Sequence, residues 1–276
     1  MKKKVVVVGD ITLDLVSSVL KSLPEEDTET STEFTPKVGG QAAHCALGLA
    51  HLGINTYLYG CIGKDPRSEL ILHKLKKQQN LELHLQRKQK TALSVIAITK
   101  EKRTIFNDPG ANALLEMVDL KTTADYLFVG GIWHLKKLDL HKLFKQAKAK
   151  QMTILVDFGW NTRPDFQKIK LVFDQADYVF LNQKELLAFT KQKTIPAAIK
   201  RLKPNLALHL GKLGSLSCCE GEITKAPASK LKISDTTGAG DYWNAAFIYG
   251  LSKDWPMKKT LTFANKFAIR QNLHLL

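Results

Sequence analysis

Six short apolar runs punctuate this chain, and the stretches between them carry helical patterns. The runs are Val5–Val8, Thr56–Tyr59, Tyr126–Val129, Thr153–Val156, Tyr178–Leu181 and Leu206–Leu210. Each reads as a buried strand. Helical periodicity covers Ala42–Leu52, Ser68–Gln78, Leu138–Lys150, Gln183–Thr190 and Ile195–Leu202. Strand and helix in alternation predict an α/β fold, with a mostly parallel central sheet covered by helices on both faces. Ligands in such sheets bind beyond the carboxyl ends of the strands. Two stretches break the rhythm. Asp14 to Lys37 alternates with period two and ends in a threonine-rich run. Leu93–Thr99 and Thr104–Asn107 flank Lys100-Glu-Lys-Arg103, which reads as a hairpin turn. These pieces predict a small antiparallel β lid, built from segments of about 14–37 and 93–107. No repeat, low-complexity stretch or long linker appears, so a single domain over 1–276 is expected.

Asp235-Thr-Thr-Gly-Ala-Gly-Asp241 runs straight into the apolar helical pattern of Trp243, Ala246, Phe247, Gly250 and Leu251. Helix N-termini carry unsatisfied N–H groups and the positive end of the dipole. Glycines at that place let a phosphate approach the backbone. A carboxylate in the same turn can take a proton from a hydroxyl beside that phosphate. These are the parts that move a phosphoryl group onto an alcohol. An ordinary capped loop with Asp241 as a dipole-pairing acid is the competing reading. The nucleoside-phosphate loop G-x-x-x-x-G-K-[ST] is absent. The Gly238-Ala-Gly240 pair also lies too late in the chain for a dinucleotide fingerprint.

An apolar content of 44% over 276 residues is that of a globular protein. No apolar run approaches the roughly 20 residues of a membrane helix. The opening Met-Lys-Lys-Lys has the basic look of a leader, but Val5–Val8 is too short for a signal peptide. Cys45, Cys61, Cys218 and Cys219 show no metal spacing, so reduced thiols in a cytoplasmic protein are expected. The net charge of +15 is spread as lysines over amphipathic helices without any nucleic-acid motif. It reads as a solvated surface, with a weaker role in steering anionic substrates.

In this order the motifs resemble those of ribokinase-type carbohydrate kinases of the PfkB family. Gly9-Asp-Ile-Thr-Leu-Asp14 follows the first strand. Gly39 to Gly53 resembles the family's first signature, and Gly60-Cys-Ile-Gly-Lys-Asp65 its next strand-end motif. Gly110-Ala-Asn112 closes the lid hairpin, Asn182-Gln-Lys-Glu185 matches N-x-x-E, and Asp235–Asp241 matches the second signature. The resemblance covers nearly the whole chain. It implies a ribokinase-like three-layer α/β/α fold and transfer of the γ-phosphoryl of ATP to a sugar hydroxyl. Asp241 would be the general base, with Gly238, Ala239 and Gly240 as a backbone anion hole. Asp14, Gly39, Gly40, His44 and Asn112 would meet the sugar. Asn182, His209, Gly211, Gly214 and Asn265 would meet the nucleotide, and Glu185 with Asn182 would hold Mg²⁺ through water.

Three departures qualify what the resemblance implies. His44 stands where the family usually has an asparagine on the sugar, so it is either an altered sugar contact or a structural histidine. His209 replaces a common threonine. The chain stops at Leu276, where many relatives continue into a monovalent-cation loop; Asp235 and Thr237 could supply only part of such a site, so that activation finds little support. Arg163 would meet a phosphate or pair with a neighbouring acid. A nucleoside kinase would need Phe34 or Phe106 to stack a base. A phosphosugar kinase would use Arg103 and Lys37. A binding protein that kept the fold without turnover is a further alternative. The expected partners are a sugar and ATP, with no nucleic acid and no membrane. The lid's edges also invite a second copy to pair as a homodimer.

Overall fold

The computed structural model describes residues 3–100, 102–159, 161–229 and 238–274. The chain starts in β1 (Lys4–Gly9), whose Val5 to Val8 are fully buried. Valines pointing alternately to both faces make a strand that only a covered, parallel sheet can hold. Val5 and Val7 enter one apolar core and Val6 and Val8 the other, so the sheet divides two cores.

Four lid strands and five further central strands follow the sequence expectation closely. β2 (Thr12–Leu20), β3 (Phe34–Gly39), β6 (Ala92–Thr99) and β7 (Arg103–Asp108) form the small sheet. β4 (Asn55–Ile62), β8 (Tyr126–Gly130), β9 (Thr153–Asp157), β10 (Tyr178–Asn182) and β11 (Asn205–His209) join β1 in the large one. β5 (Leu81–Arg87), β12 (Ser215–Cys219) and β13 (Glu222–Ala226) carry no continuous apolar run in sequence and complete it at its two edges. The nine-stranded order is β13-β12-β11-β10-β9-β8-β1-β4-β5. All pairings are parallel except β11–β12 and β12–β13.

The small sheet runs β3-β2-β6-β7. Its β2–β3 and β6–β7 pairs are antiparallel hairpin-type pairs, as expected. β2 and β6 instead run parallel, because the chain between them passes through the main layer rather than through a turn.

Helix α1 (Gln41–His51) packs with α7 (Ala239–Ser252) and α8 (Met257–His274) on one face. The other face holds α3 (Leu140–Ala149), α4 (Phe166–Gln175), α5 (Gln183–Thr190) and α6 (Ile195–Ile199). α2 (Pro66–Leu75) lies against the lid strands β2 and β3. Side-chain caps fix several starts. Asp65, Asp139 and Asp165 each accept a backbone N–H at the head of α2, α3 and α4. Asn182 and Glu185 form a full capping box at α5.

The carboxyl ends of the parallel strands therefore line up. Gly9 pairs in register with Gly130, and Asn182 with His209. Asp10 follows β1, and Asp157 ends β9.

Candidate active site

A cavity of about 460 Å³ opens at that line of strand ends, under the lid. Lid strands contribute Thr12 and Asp14 from β2, Ser94 and Ile96 from β6, and Arg103, Ile105 and Asn107 from β7. These positions keep the period of two that a single sheet face requires. Asp14 sits opposite Ser94, and Ser94 opposite Asn107. The Asn107 amide donates to Ser94 Oγ at 3.1 Å, and Ser94 is hydrogen-bonded in turn to Asp14. A polar row thus crosses three lid strands and ends on a buried carboxyl. Burial pushes the Asp14 carboxyl up to about 6; His44 and the Ser94 hydroxyl pull the other way.

The Gly39-Gly40 turn brings β3 into α1 directly beside this acid. A Cβ on Gly39 would overlap the Asp14 carboxyl, and Gly40 has φ 98° with the Asp10 carbonyl in the place of a side chain. Gly40 lines the cavity with Gln41, whereas Gly39 makes room for Asp14. Asp10 holds the first turn of α1 by accepting from Ala42 N at 3.1 Å, and His134 Nδ1 lies 3.3 Å from its other oxygen. The Asp10 partnership raises the His134 pKa against the effect of burial.

α7 begins at Gly238, whose φ of 74° is left-handed and suits glycine. Tyr242 N already bonds Gly238 O. The N–H groups of Ala239, Gly240 and Asp241 head the helix without an intrahelical acceptor. Gly240 itself has ordinary backbone geometry, and a Cβ there would touch the His209 ring at 3.4 Å. Gly238, Gly240 and Asp241 all line the cavity. Asp235 and Thr237, named for a monovalent-cation site, lie outside the described residues.

His44 lines the cavity, but its ring is engaged within the protein. Its Nε2 lies 2.8 Å from the Val38 carbonyl and its Nδ1 3.0 Å from Asp241 Oδ2, so neither ring nitrogen is left for a hydroxyl. Burial lowers the His44 pKa, but the Asp241 hydrogen bond and charge, with help from Asp14 and Val38, raise it overall.

Asn182, Glu185, Asp157 and His209 line the cavity as well. Asn182 Oδ1 accepts from Glu185 N at 2.9 Å, and Glu185 Oε2 accepts from Asn182 N at 2.8 Å. Burial drives the Glu185 carboxyl up to about 7. Burial, then the nearby Glu185 and Asp241 charges, drive Asp157 up as well. Asn244 donates to Asp157 Oδ2 at 2.6 Å, and its carbonyl oxygen lies 3.0 Å from His209 Nε2. His209 must therefore donate from Nε2, which leaves its Nδ1 side toward Gly240. Burial pushes its pKa down to about 4, so the ring is neutral at pH 7.

Several expected residues stand away from the cavity. Asn112 is fully buried; its oxygen accepts from Ile11 N at 3.0 Å and its amide faces Thr12 Oγ1 at 3.4 Å, so it braces the turn after β1. Asn265 accepts from Trp243 Nε1 at 2.7 Å and donates to the carbonyls of Ala226 and Pro227. Both amide hydrogens are thus engaged, and it anchors the end of β13 rather than edging the cavity. Gly211 and Gly214 form the turn after β11 without lining the cavity. Phe34 and Phe106 are exposed and line no part of it. Asp10, Gln41, Ser94, Asn107, His134 and Asp157 line it although sequence reasoning did not select them. The Gly9–Asp14 motif and the period-two lid pattern were the available signals for Asp10, Ser94 and Asn107.

Known proteins share this fold and its family pattern. The pattern described as pfkB family carbohydrate kinase matches residues 2–269. A ribokinase of Lactococcus lactis is 27% identical over 270 residues, covering 95% of this chain and 88% of its own. A fructokinase of Klebsiella pneumoniae is 29% identical, covering 91% and 85%. The crystal structure of a Thermotoga maritima ribokinase superposes with a TM-score of 0.82 at 25% identity, over 96% of this chain and 91% of that one. An adenosine kinase from Sinorhizobium meliloti shares the fold, with a TM-score of 0.83 at 20% identity over 97% and 93%. With its family pattern matched from end to end, the chain belongs to the pfkB family of carbohydrate kinases.

Proposed function

We propose that this sugar kinase transfers the γ-phosphoryl group of ATP to a hydroxyl of a small sugar, with Asp241 as general base. The observation that carries the reading is the meeting of Asp241, the glycine-rich head of α7 and the polar lid row in one cavity. The acceptor lies against Asp14, held by the row from Asn107 and Ser94, with Thr12 and Asp10 nearby. Asp241 takes the hydroxyl proton as the oxygen attacks phosphorus. The N–H groups at Gly238, Ala239 and Gly240 receive the charge on the transferring phosphoryl oxygens. A ribokinase of Arabidopsis thaliana, of like fold, is described as complexed with ribose and ATP, which supports the pairing of substrates.

The donor set fits Mg²⁺. Glu185 and Asp157 are buried carboxyls whose pKa values burial raises, with the Asp241 charge adding to both and the Glu185 charge adding to Asp157. Among the described residues no group of three or more His, Cys, Asp and Glu side chains could cage an ion, which suits a metal held through water and phosphate oxygens. Glu185 and Asn182 would hold it, and it would neutralise phosphate charge. The neutral His209 would lie beside Gly240 at the nucleotide end.

A nucleoside acceptor fits less well, because no Phe, Tyr or Trp lines the cavity among the described residues. Arg103 from β7 supports a second reading, a sugar that carries an anionic group. The test is coupled ADP release with ribose, fructose, sugar acids, sugar phosphates and nucleosides. Release stimulated only by nucleosides would overturn the sugar assignment.

Two further parts belong to the same reading. Val19, Phe34 and Phe106 expose apolar surface on the lid strands and support a homodimer through the lid, testable by sedimentation. The four cysteines are free, as a reducing cytoplasm would keep them. No described helix is long and apolar enough to cross a membrane.

A further inference from the structure

His44 makes two contacts whose hydrogen count cannot be met by a neutral ring and an ionised acid. A carbonyl oxygen can only accept, so the 2.8 Å contact to Val38 places a hydrogen on Nε2. A neutral imidazole would then present its Nδ1 lone pair to Asp241 Oδ2 at 3.0 Å. Two acceptors would face each other in a buried place, where an unmet polar contact is costly. One more proton must lie between them. An imidazole holds a proton about two to three orders of magnitude more tightly than a carboxylate does. Asp14, which acts on His44 from β2, adds negative charge that favours the cation further. Tyr242 packs on the ring at 5.4 Å, and burial keeps its phenol and the adjacent Cys45 thiol protonated, so neither adds charge. The hydrogen-bond count requires the extra proton, and the higher proton affinity of imidazole, with the surrounding negative charge, places it on His44.

We propose that His44 is a positioning residue: as an imidazolium it clamps Asp241 Oδ2 and ties that base through the Val38 carbonyl to lid strand β3. The clamp rests on the reading of Asp241 as the general base. It fixes the rotation of the carboxylate and leaves the other oxygen for the acceptor hydroxyl. It also joins three elements: α1 carries His44, α7 carries Asp241, and β3 ends at the Gly39-Gly40 turn. A shift of β3 would therefore reach the base through one side chain. At the position where the resemblance implied a sugar contact, this chain places a cation for its own general base.

The test combines turnover with a ring titration that needs no turnover. His44→Ala should lower kcat by about 10- to 150-fold, the worth of a charge-assisted hydrogen bond, while the sugar KM moves by less than about threefold. His44→Gln, which keeps a donor without titrating, should recover part of the loss. Wild-type kcat should fall on the alkaline side with a midpoint above the ordinary histidine value of about 6.5, because loss of the proton turns Nδ1 into an acceptor facing Asp241. That limb should be missing in both variants. Nitrogen NMR of the unliganded protein, with His44→Gln assigning the signal, should show both ring nitrogens protonated at pH 7. In Asp241→Asn the ring pKa should drop. A neutral His44 ring at pH 7 would overturn the clamp, and so would a loss confined to the sugar KM or an alkaline limb that persists in His44→Gln. Failure of every acceptor to stimulate ADP release would overturn the kinase reading instead, and the ring titration would still decide the pair.

Discussion

Replacing Asp14 with asparagine should make the protein more stable and a poorer kinase at the same time. The carboxyl is 6% exposed, and burial raises it from its ordinary 3.8 to about 6. Each tenfold change in proton affinity is about 1.4 kcal/mol, so the ionised acid costs the folded state about 3 kcal/mol at pH 7. The folded carboxyl holds its proton more tightly than the unfolded one. The penalty is therefore absent below pH 3.8, grows as pH rises to about 6, and stays constant above. At pH 5 roughly half of it remains. The carboxamide of Asp14→Asn keeps the size and can still meet Ser94, so the variant should gain about 2–3 kcal/mol at pH 7, or roughly 5–10 °C in Tm. Urea unfolding of both proteins at pH 7 and pH 5 reads the gain and its decline. The same variant loses a charged acceptor for sugar hydroxyls, and the sugar KM should rise by about 10- to 150-fold with ATP affinity nearly unchanged. A variant no more stable than wild type at pH 7, or a gain that does not shrink at pH 5, would refute the account of this carboxyl. An unchanged sugar KM would remove Asp14 from the acceptor pocket.

Three other outcomes follow from the site. Asp241→Asn should cut turnover by about 10²- to 10⁴-fold, because the amide cannot accept the proton; nucleotide affinity, measured separately by calorimetry, should survive. Gly240→Val should be equally severe, since a Cβ there already reaches van der Waals contact with His209 at 3.4 Å and valine adds two methyl groups beyond it; normal kinetics in a folded variant would misplace the anion hole. Hydrogen exchange in segments 14–37 and 93–107 should slow when sugar and nucleotide are present together, and equal rates with and without ligands would argue against a lid.

Much of the frame was legible because it follows from local chemistry. Four valines in a row can only be a doubly covered strand, and the Asn182–Glu185 spacing is a helix start whatever else it does. β5, β12 and β13 were not legible. They are edge or near-edge strands with partly exposed faces, so their sequences lack the continuous apolar run that marks a central strand. The site was half legible for a similar reason. Asp14, Gly238, Gly240 and Asp241 belong to compact motifs. Ser94, Asn107 and His134 acquire meaning only from pairing across strands or from a neighbour more than a hundred residues away, as His134 does with Asp10. Asn112 and Asn265 stand apart from the cavity, and the sequence held no sign of it, because a carboxamide that binds a ligand and one that ties down backbone look alike in sequence. Only the partners tell them apart, and both here are committed to the protein.

The commitment of His44 also changes where sugar selection must reside. With both its nitrogens engaged, the proposed acceptor would be read by Asp10, Thr12, Asp14, Ser94 and Asn107, and by Arg103 if the substrate carries charge. All but Asp10 stand on the small sheet. A pocket whose polar groups ride on the lid is complete only when the lid is seated over the strand ends. Recognition of the sugar and exclusion of water from the phosphoryl are then one event rather than two. A wrong sugar would fail to complete the Asp14–Ser94–Asn107 row and leave the buried Asp14 and Ser94 short of partners, a penalty far larger than the loss of an apolar contact. Because β3 belongs to the same sheet and holds His44 through Val38, the seating that tests the sugar would also bear on Asp241, the base proposed to deprotonate it.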